Sequence, residues 1–203
     1  MLASIRSLCL ACALLAPAAF AEYEAHLWFG ASYISGDADD QVTDGYDFGF
    51  GGISRDGDAM GWRWDLGFDR HDAREGAIGN LLVDDGDVTT TYFRFGPQWD
   101  FDGYDSRFYV NVMAGYYWSY ANISMYATVP GVICDPFWGW CWTVAVPGEY
   151  ILADQDEDDW GYSATMGYEF DVVGGQWFVE LQYHSAQHGE GYEFVPLVVG
   201  LRW

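Results

Sequence analysis

The sequence contains no lysine, and its 8 arginines face 31 aspartates and glutamates. So little positive charge excludes nucleic acid as a partner, because binding it requires cationic side chains to neutralise phosphates. Long hydrophobic runs are also missing. Beyond residue 21 nothing approaches the roughly 18 consecutive apolar residues of a membrane-spanning helix. Cysteine is scarce, with only four in the chain. What is there excludes disorder, since 51% of the residues are hydrophobic, enough to build a core.

Met1 to Ala21 reads as a secretory signal peptide, with Arg6, an apolar core from Leu8 to Ala16, and Ala19-Phe20-Ala21 as the cleavage site. Acylation at Cys12 would place cleavage inside that apolar core and is rejected. The expected organisation is a leader over 1–21 and one domain over 22–203. Removing the leader takes one arginine and no acid, so seven arginines against 31 acids leave the domain at −24. Such an acidic surface suits a salty medium, where screening weakens self-repulsion. Cys9 and Cys12 leave with the leader. Cys134 and Cys141 remain, six residues lie between them, and in an oxidising compartment they are expected to pair.

Aromatic residues make up 19% of the chain, with 11 Trp and 15 Tyr, beside 25 Gly. These are the residues a membrane barrel uses for its interfacial girdles and its tight curvature. The most telling stretch is the last, Tyr192 to Trp203. Val195, Leu197, Val199, Leu201 and Trp203 alternate there with Phe194, Pro196, Val198, Gly200 and Arg202. Successive strand residues point to opposite faces, so one face is wholly apolar and the other carries an arginine. Seven further segments alternate similarly: 23–33, 45–54, 60–70, 88–99, 107–120, 160–170 and 176–185. Asp56-Gly57 marks a tight turn between two of them. Connections after the first, third and fifth segments are long, and those after the second, fourth and sixth are short. The pattern predicts an all-β fold, an eight-stranded antiparallel up-and-down transmembrane β-barrel. A lipocalin would turn the apolar face inward and the charges outward. The terminal aromatic, the tryptophans near strand ends and the loop asymmetry favour the membrane barrel.

From Glu22 to Trp203 the chain resembles the small OmpA/OmpX-like outer-membrane barrels. The resemblance lies in strand count, loop asymmetry and the ending Val195-Pro196-Leu197-Val198-Val199-Gly200-Leu201-Arg202-Trp203. It implies residence in the bacterial outer membrane, among outer-membrane lipid and lipopolysaccharide, with no cofactor and no shared catalytic motif. Pro196 departs from the pattern by deleting a ladder hydrogen bond, which predicts a bulge or an upper-rim position.

The inward set includes Asp47, Arg63, Asp65, Arg94, Glu169, Glu180 and Arg202, with Glu24, His26 and His184 beside them. Eight strands leave just enough lumen for side chains to fill, and unpaired buried charge is costly, so these groups are expected to pair as a plug. A narrow gated pore is the alternative. His184, Ser185 and Glu193 offer a second alternative, a lipid A-modifying hydrolase in which an acid orients the His that activates the Ser. Lipid A deacylases place the Ser two positions after the His; here the two are adjacent and face opposite sides. In the longest connection, Val129-Pro130-Gly131 and Val146-Pro147-Gly148 bracket the two cysteines. This reads as a stapled hairpin with Phe137, Trp138 and Trp140 at its tip, suited to an extracellular ligand or surface partner. The acids over 154–159 and Asp37, Asp39, Asp40 and Asp44 match no calcium loop, so they read as solvated acids rather than a metal site. The functional expectation is a non-enzymatic outer-membrane barrel with loops for binding, adhesion or shielding.

Overall fold

The computed structural model describes residues 22–35, 42–55, 59–78, 81–102, 106–127, 131–134, 138–144, 150–172, 175–186 and 192–203. The leader, the Asp56-Gly57 turn, Asp37, Asp39, Asp40, Phe137 and most of the two proline brackets lie outside them. The strands are β1 (Glu22–Ser35), β2 (Gly45–Arg55), β3 (Met60–Asp72), β4 (Gly76–Ile78), β5 (Leu81–Asp102), β6 (Ser106–Ala127), β7 (Gly131–Cys134), β8 (Cys141–Val144), β9 (Tyr150–Val172), β10 (Gly175–Ala186) and β11 (Tyr192–Arg202).

Eight of these form one ring in the order β3-β2-β1-β11-β10-β9-β6-β5, and β5 pairs back with β3 to close it. The first and last strands meet antiparallel, from His26↔Arg202 to Ser35↔Glu193. Closure leaves no unpaired edge around the barrel wall, which is what a strand needs where water cannot reach it. All eight expected segments are strands. The short turns β2–β3, β5–β6 and β9–β10 lie at one end with the start of β1 and the end of β11, and the longer connections lie at the other.

Alternation decides which face meets what. Phe29 is 63% exposed, Val112 52% and Trp160 64%, whereas Arg63, Asp65, Arg94 and Glu180 are at 0%. The apolar face is therefore outside, opposite to a lipocalin. On β6 the apolar outward residues run from Phe108 to Trp118. Ten residue steps of about 3.4 Å, tilted about 40°, give a belt about 26 Å tall, the thickness of a bilayer core.

Three strands run longer than the alternation predicts: β5 and β6 have 22 residues and β9 has 23. Segments 81–87, 121–127 and 150–159, expected as connections, continue the ladder above the belt. No lipid faces them there, so their outward positions carry Asp85, Asp87, Asn122, Asp156 and Asp158, and the period-two signal disappears. The acids over 154–159 thus stand on a strand rather than in a loop. Pro196 inserts no bulge. The β10–β11 pairing stops at Leu181↔Leu197 and resumes at His184↔Phe194 in the same register, so Pro196 interrupts the ladder on that side without shifting it, while Ser32 pairs with Pro196 on the other.

The lumen is filled by a repeated device. Trp28, Tyr92, Tyr109 and Phe178 point inward, each directly opposite a glycine of the next strand: Gly49, Gly67, Gly167 and Gly200. A Cβ at any of these glycines would collide with the ring lying over it. The missing side chain is the room the ring occupies.

Candidate functional site: the charged lumen and its mouth

Inward positions on β3, β5 and β10 bring four charged groups together in mid-lumen. The Arg63 fork holds Glu180 through Nη1–Oε1 at 2.5 Å and Nη2–Oε2 at 3.1 Å. Its Nε donates to Asp65 Oδ1 at 2.9 Å, and Arg94 Nε donates to Asp65 Oδ2 at 2.9 Å. Asp65 Oδ1 also lies 2.8 Å from His26 Nε2. Glu180 accepts from Tyr109 Oη at 2.5 Å and Gln182 Nε2 at 2.7 Å. The remaining Arg94 nitrogens reach Gln182 Oε1 at 2.7 Å and His184 Nε2 at 2.9 Å. Two positive and two negative groups make a neutral quartet, and none of its side-chain polar atoms lacks a partner. Buried charges persist only when paired and hydrogen-bonded in this way.

The seven charged residues singled out in the sequence do not form one cluster. Arg63, Asp65, Arg94 and Glu180 are the quartet. Glu169 and Arg202 pair separately, nearer the short turns, where the Arg202 guanidinium lies 5.2 Å from the Tyr109 ring and 5.4 Å from Phe178. At that end Arg55 also bridges Glu24 and Asp100. Asp47 lies toward the opposite end and is held by neutral donors, Trp28 Nε1 at 2.5 Å and Tyr92 Oη at 2.7 Å. Sequence reasoning misses His71, because the alternation of the third segment is read only as far as Arg70 and the residue falls in an expected loop. The available signal was the period of two that it shares with Asp65, Gly67 and Asp69. Strand β3 carries it inward, fully buried, beside Asp69 and Ser32.

Above the charges sits an apolar mouth. Ile34, Val42, Ala73, Val88, Ala121, Ile123 and Ala186 are buried there in one cluster with Trp138. Trp138 comes from the turn of the β7–β8 hairpin, whose Cys134 and Cys141 are disulfide-bonded. The expected exposed tip is therefore corrected in part. Trp138 is only 6% exposed, and Trp140, two residues on, is 60% exposed. An indole beside an apolar cluster gains more by burial than by display.

The alternative hydrolase triad does not assemble. His184 faces the lumen, bonded to Arg94 and 3.2 Å from Tyr117 Oη, and its ring stacks on Phe194 at 4.3 Å. Glu193 pairs with Ser185 across β10–β11 and accepts from Ser35 Oγ at 3.5 Å, so no acid orients His184 toward Ser185. Among the described residues no three His, Cys, Asp or Glu side chains converge as a metal site.

No family model matches the sequence, and no curated protein does. Solved structures do match in shape. Neisserial surface protein A (NspA) is similar at a TM-score of 0.56 and 10% identity, over 89% of this chain and 95% of that one. Ail, the attachment invasion locus protein of Yersinia pestis, in complex with the heparin analogue sucrose octasulfate, has a TM-score of 0.48 and 14% identity, over 90% and 99%. The N-terminal β-barrel domain of Pseudomonas aeruginosa OprF has 0.37 and 12%, over 89% and 97%. At these identities the likeness is one of fold.

Proposed function

We propose that this eight-stranded outer-membrane barrel, OmpA/OmpX-like in architecture, is a non-enzymatic scaffold with a closed lumen and a loop end for binding or shielding. The observation that carries the reading is the neutral quartet of Arg63, Asp65, Arg94 and Glu180, fully buried across the lumen. An ion entering there must break charge-assisted pairs that have no water to replace them. The belt faces outer-membrane lipid and lipopolysaccharide. At the loop end Asp44, Asp72, Glu75, Asp85, Asp156 and Asp158 are exposed beside Arg74 and half-buried Arg70. That field repels polyanions and favours a cationic or neutral partner, with Trp140 as the exposed aromatic contact.

Two measurements test the reading. Purified protein in planar bilayers should give no stepwise conductance; regular steps would make it a narrow pore. Lipopolysaccharide incubated with the protein should keep every acyl chain by mass, and a lost chain would make it a lipid A hydrolase.

A further inference from the structure

The longest strand pair of the barrel carries an arm that returns to the mouth. The β6–β9 ladder runs up to Tyr126↔Tyr150, and the β7–β8 ladder begins at Gly131↔Val144. Four residues separate the two ladders on one side and five on the other, so the register changes between them. Pro130 and Pro147 fall in those two connections, one in each, and neither has an N–H to carry a ladder. The hairpin is accordingly a two-stranded sheet of its own.

Its position shows that it doubles back on the ribbon that bears it. A ribbon continuing straight from Ile123 would carry Cys134, eleven residues further on, about 36 Å away. Trp138 lies beyond Cys134, in the hairpin turn, yet it is buried in one cluster with Ile123, Ala121, Val42 and Ile34. Little else fastens the hairpin there. Among its residues whose burial is described, Cys134, Gly139, Trp140 and Cys141 are exposed and only Trp138 is buried. Among the described residues no strand pairing joins β7 or β8 to the barrel. A Cβ added at Gly139, next to Trp138, would meet nothing within 4 Å. A two-stranded hairpin is marginal alone, and the Cys134–Cys141 disulfide keeps this one intact whether or not its indole is seated.

We propose that the β7–β8 hairpin is a hinged lid on the barrel mouth, latched by the Trp138 indole and swinging on the two proline-bearing connections. Stowed, it covers the apolar seat of Ile34, Val42, Ala121 and Ile123 and leaves Trp140 outside. Raised, it uncovers that seat and presents Trp138 together with Trp140. The stowed position is favoured in the free protein because the indole and the aliphatic seat bury each other's apolar surface. The two apolar surfaces become available together, so a partner that covers either of them draws the lid toward its raised position. The lid adds a gate to the loop end and does not depend on a closed lumen. A conducting barrel would leave it standing, and a fixed hairpin would leave the scaffold reading standing.

Hydrogen exchange of the Trp138 indole N–H, in the full protein in lipid nanodiscs, tests the motion. After correction for intrinsic rates the indole should exchange about tenfold faster, or more, than the backbone amides of Val110 and Val112 in the belt, because the lid opens while the barrel stays folded. An indole that exchanges only as fast as those amides is a fixed part of the barrel core, and the lid is refuted. Trp138→Ala tests the latch. A soluble gadolinium chelate should broaden the Ile34 and Ile123 methyl signals severalfold more in this variant than in the parent, with Ile53 at the other end of the barrel unchanged. Trp140→Ala should match the parent. Methyl groups as well shielded in Trp138→Ala as in the parent would show that the indole is not the latch and overturn the proposal. Should Trp138→Ala fail to fold, the indole exchange of the parent decides by itself.

Discussion

Replacing Arg63 by Ala removes the group that joins the two carboxylates of the quartet. Glu180 loses both guanidinium contacts and keeps Tyr109 and Gln182; Asp65 keeps Arg94 and His26. A neutral set becomes net negative where no solvent reaches it. Breaking a buried pair from one side costs about 3–5 kcal/mol, most of it from the charge left behind. The reasoning makes a second claim that separates charge from packing. Arg63→Met combined with Glu180→Gln removes one charge of each sign and leaves Arg94 with Asp65. The double variant should therefore be less damaged than the summed single variants by about 2 kcal/mol, a coupling of the size contacting residues show. Equilibrium unfolding in detergent micelles, followed by tryptophan emission and by the gel shift between folded and boiled protein, measures all three. If Arg63→Ala costs less than about 1 kcal/mol, as exposed pairs do, the lumen is hydrated and the closed-lumen reading fails.

Three other outcomes follow from the geometry. Gly67→Ala drives a methyl group into the Tyr92 ring and threatens its 2.7 Å bond to Asp47, so it should destabilise by about 1–3 kcal/mol in the same unfolding assay; Gly139→Ala, with φ of 70° but open space around it, should leave the barrel transition in place. Val112→Arg, in mid-belt, should cost about 2–4 kcal/mol in lipid, whereas Asn122→Arg, on the same face of β6 above the belt, should cost about 0–1 kcal/mol, and equal costs would refute the placement of the belt. The Cys134→Ser, Cys141→Ser double variant should fold and shift on boiling like the parent but be cleaved faster by protease within the hairpin, because the disulfide closes a short loop in a two-stranded sheet that is not part of the barrel ladder.

Legibility in the sequence tracked lipid. Wherever a strand has bilayer on one side, an apolar residue must recur at every second position, and all eight segments could be read from that rule alone. Above the belt the rule lapses. The ladder of β5, β6 and β9 continues because backbone pairing does not depend on side-chain polarity, so Asp156 and Asp158 look like loop residues while standing on a strand. Inward side chains were legible as a set but not as partners. Alternation places Asp47 and Arg63 on one face of the wall, yet which charges meet depends on strand stagger around the ring. That stagger gives Glu180 to Arg63 and leaves Asp47 to Trp28 and Tyr92. Trp138 was legible only as an aromatic near a staple. Its burial depends on an apolar cluster assembled from several elements far apart in the chain, none of which announces the others.

The absence of lysine fits what the lumen asks of its cations. Arg55, Arg63, Arg94 and Arg202 are buried, each in contact with carboxylates. Arg63 serves Glu180 with two nitrogens and Asp65 with a third, and Arg94 spreads its three nitrogens over Asp65, Gln182 and His184. A lysine offers one strongly hydrated point charge on a flexible stem, so it would leave part of such a network unpartnered and cost more to dry. Arginine also sits over aromatic rings, and the Arg94 and Arg202 guanidinium carbons lie 5.3 and 5.2 Å from the Tyr92 and Tyr109 ring centres. The lumen of a narrow barrel rewards a planar cation that can be packed like an aromatic and still pair like an ion. The acids that give the chain its net charge are free of that constraint, and many stand at the loop end, where water solvates them.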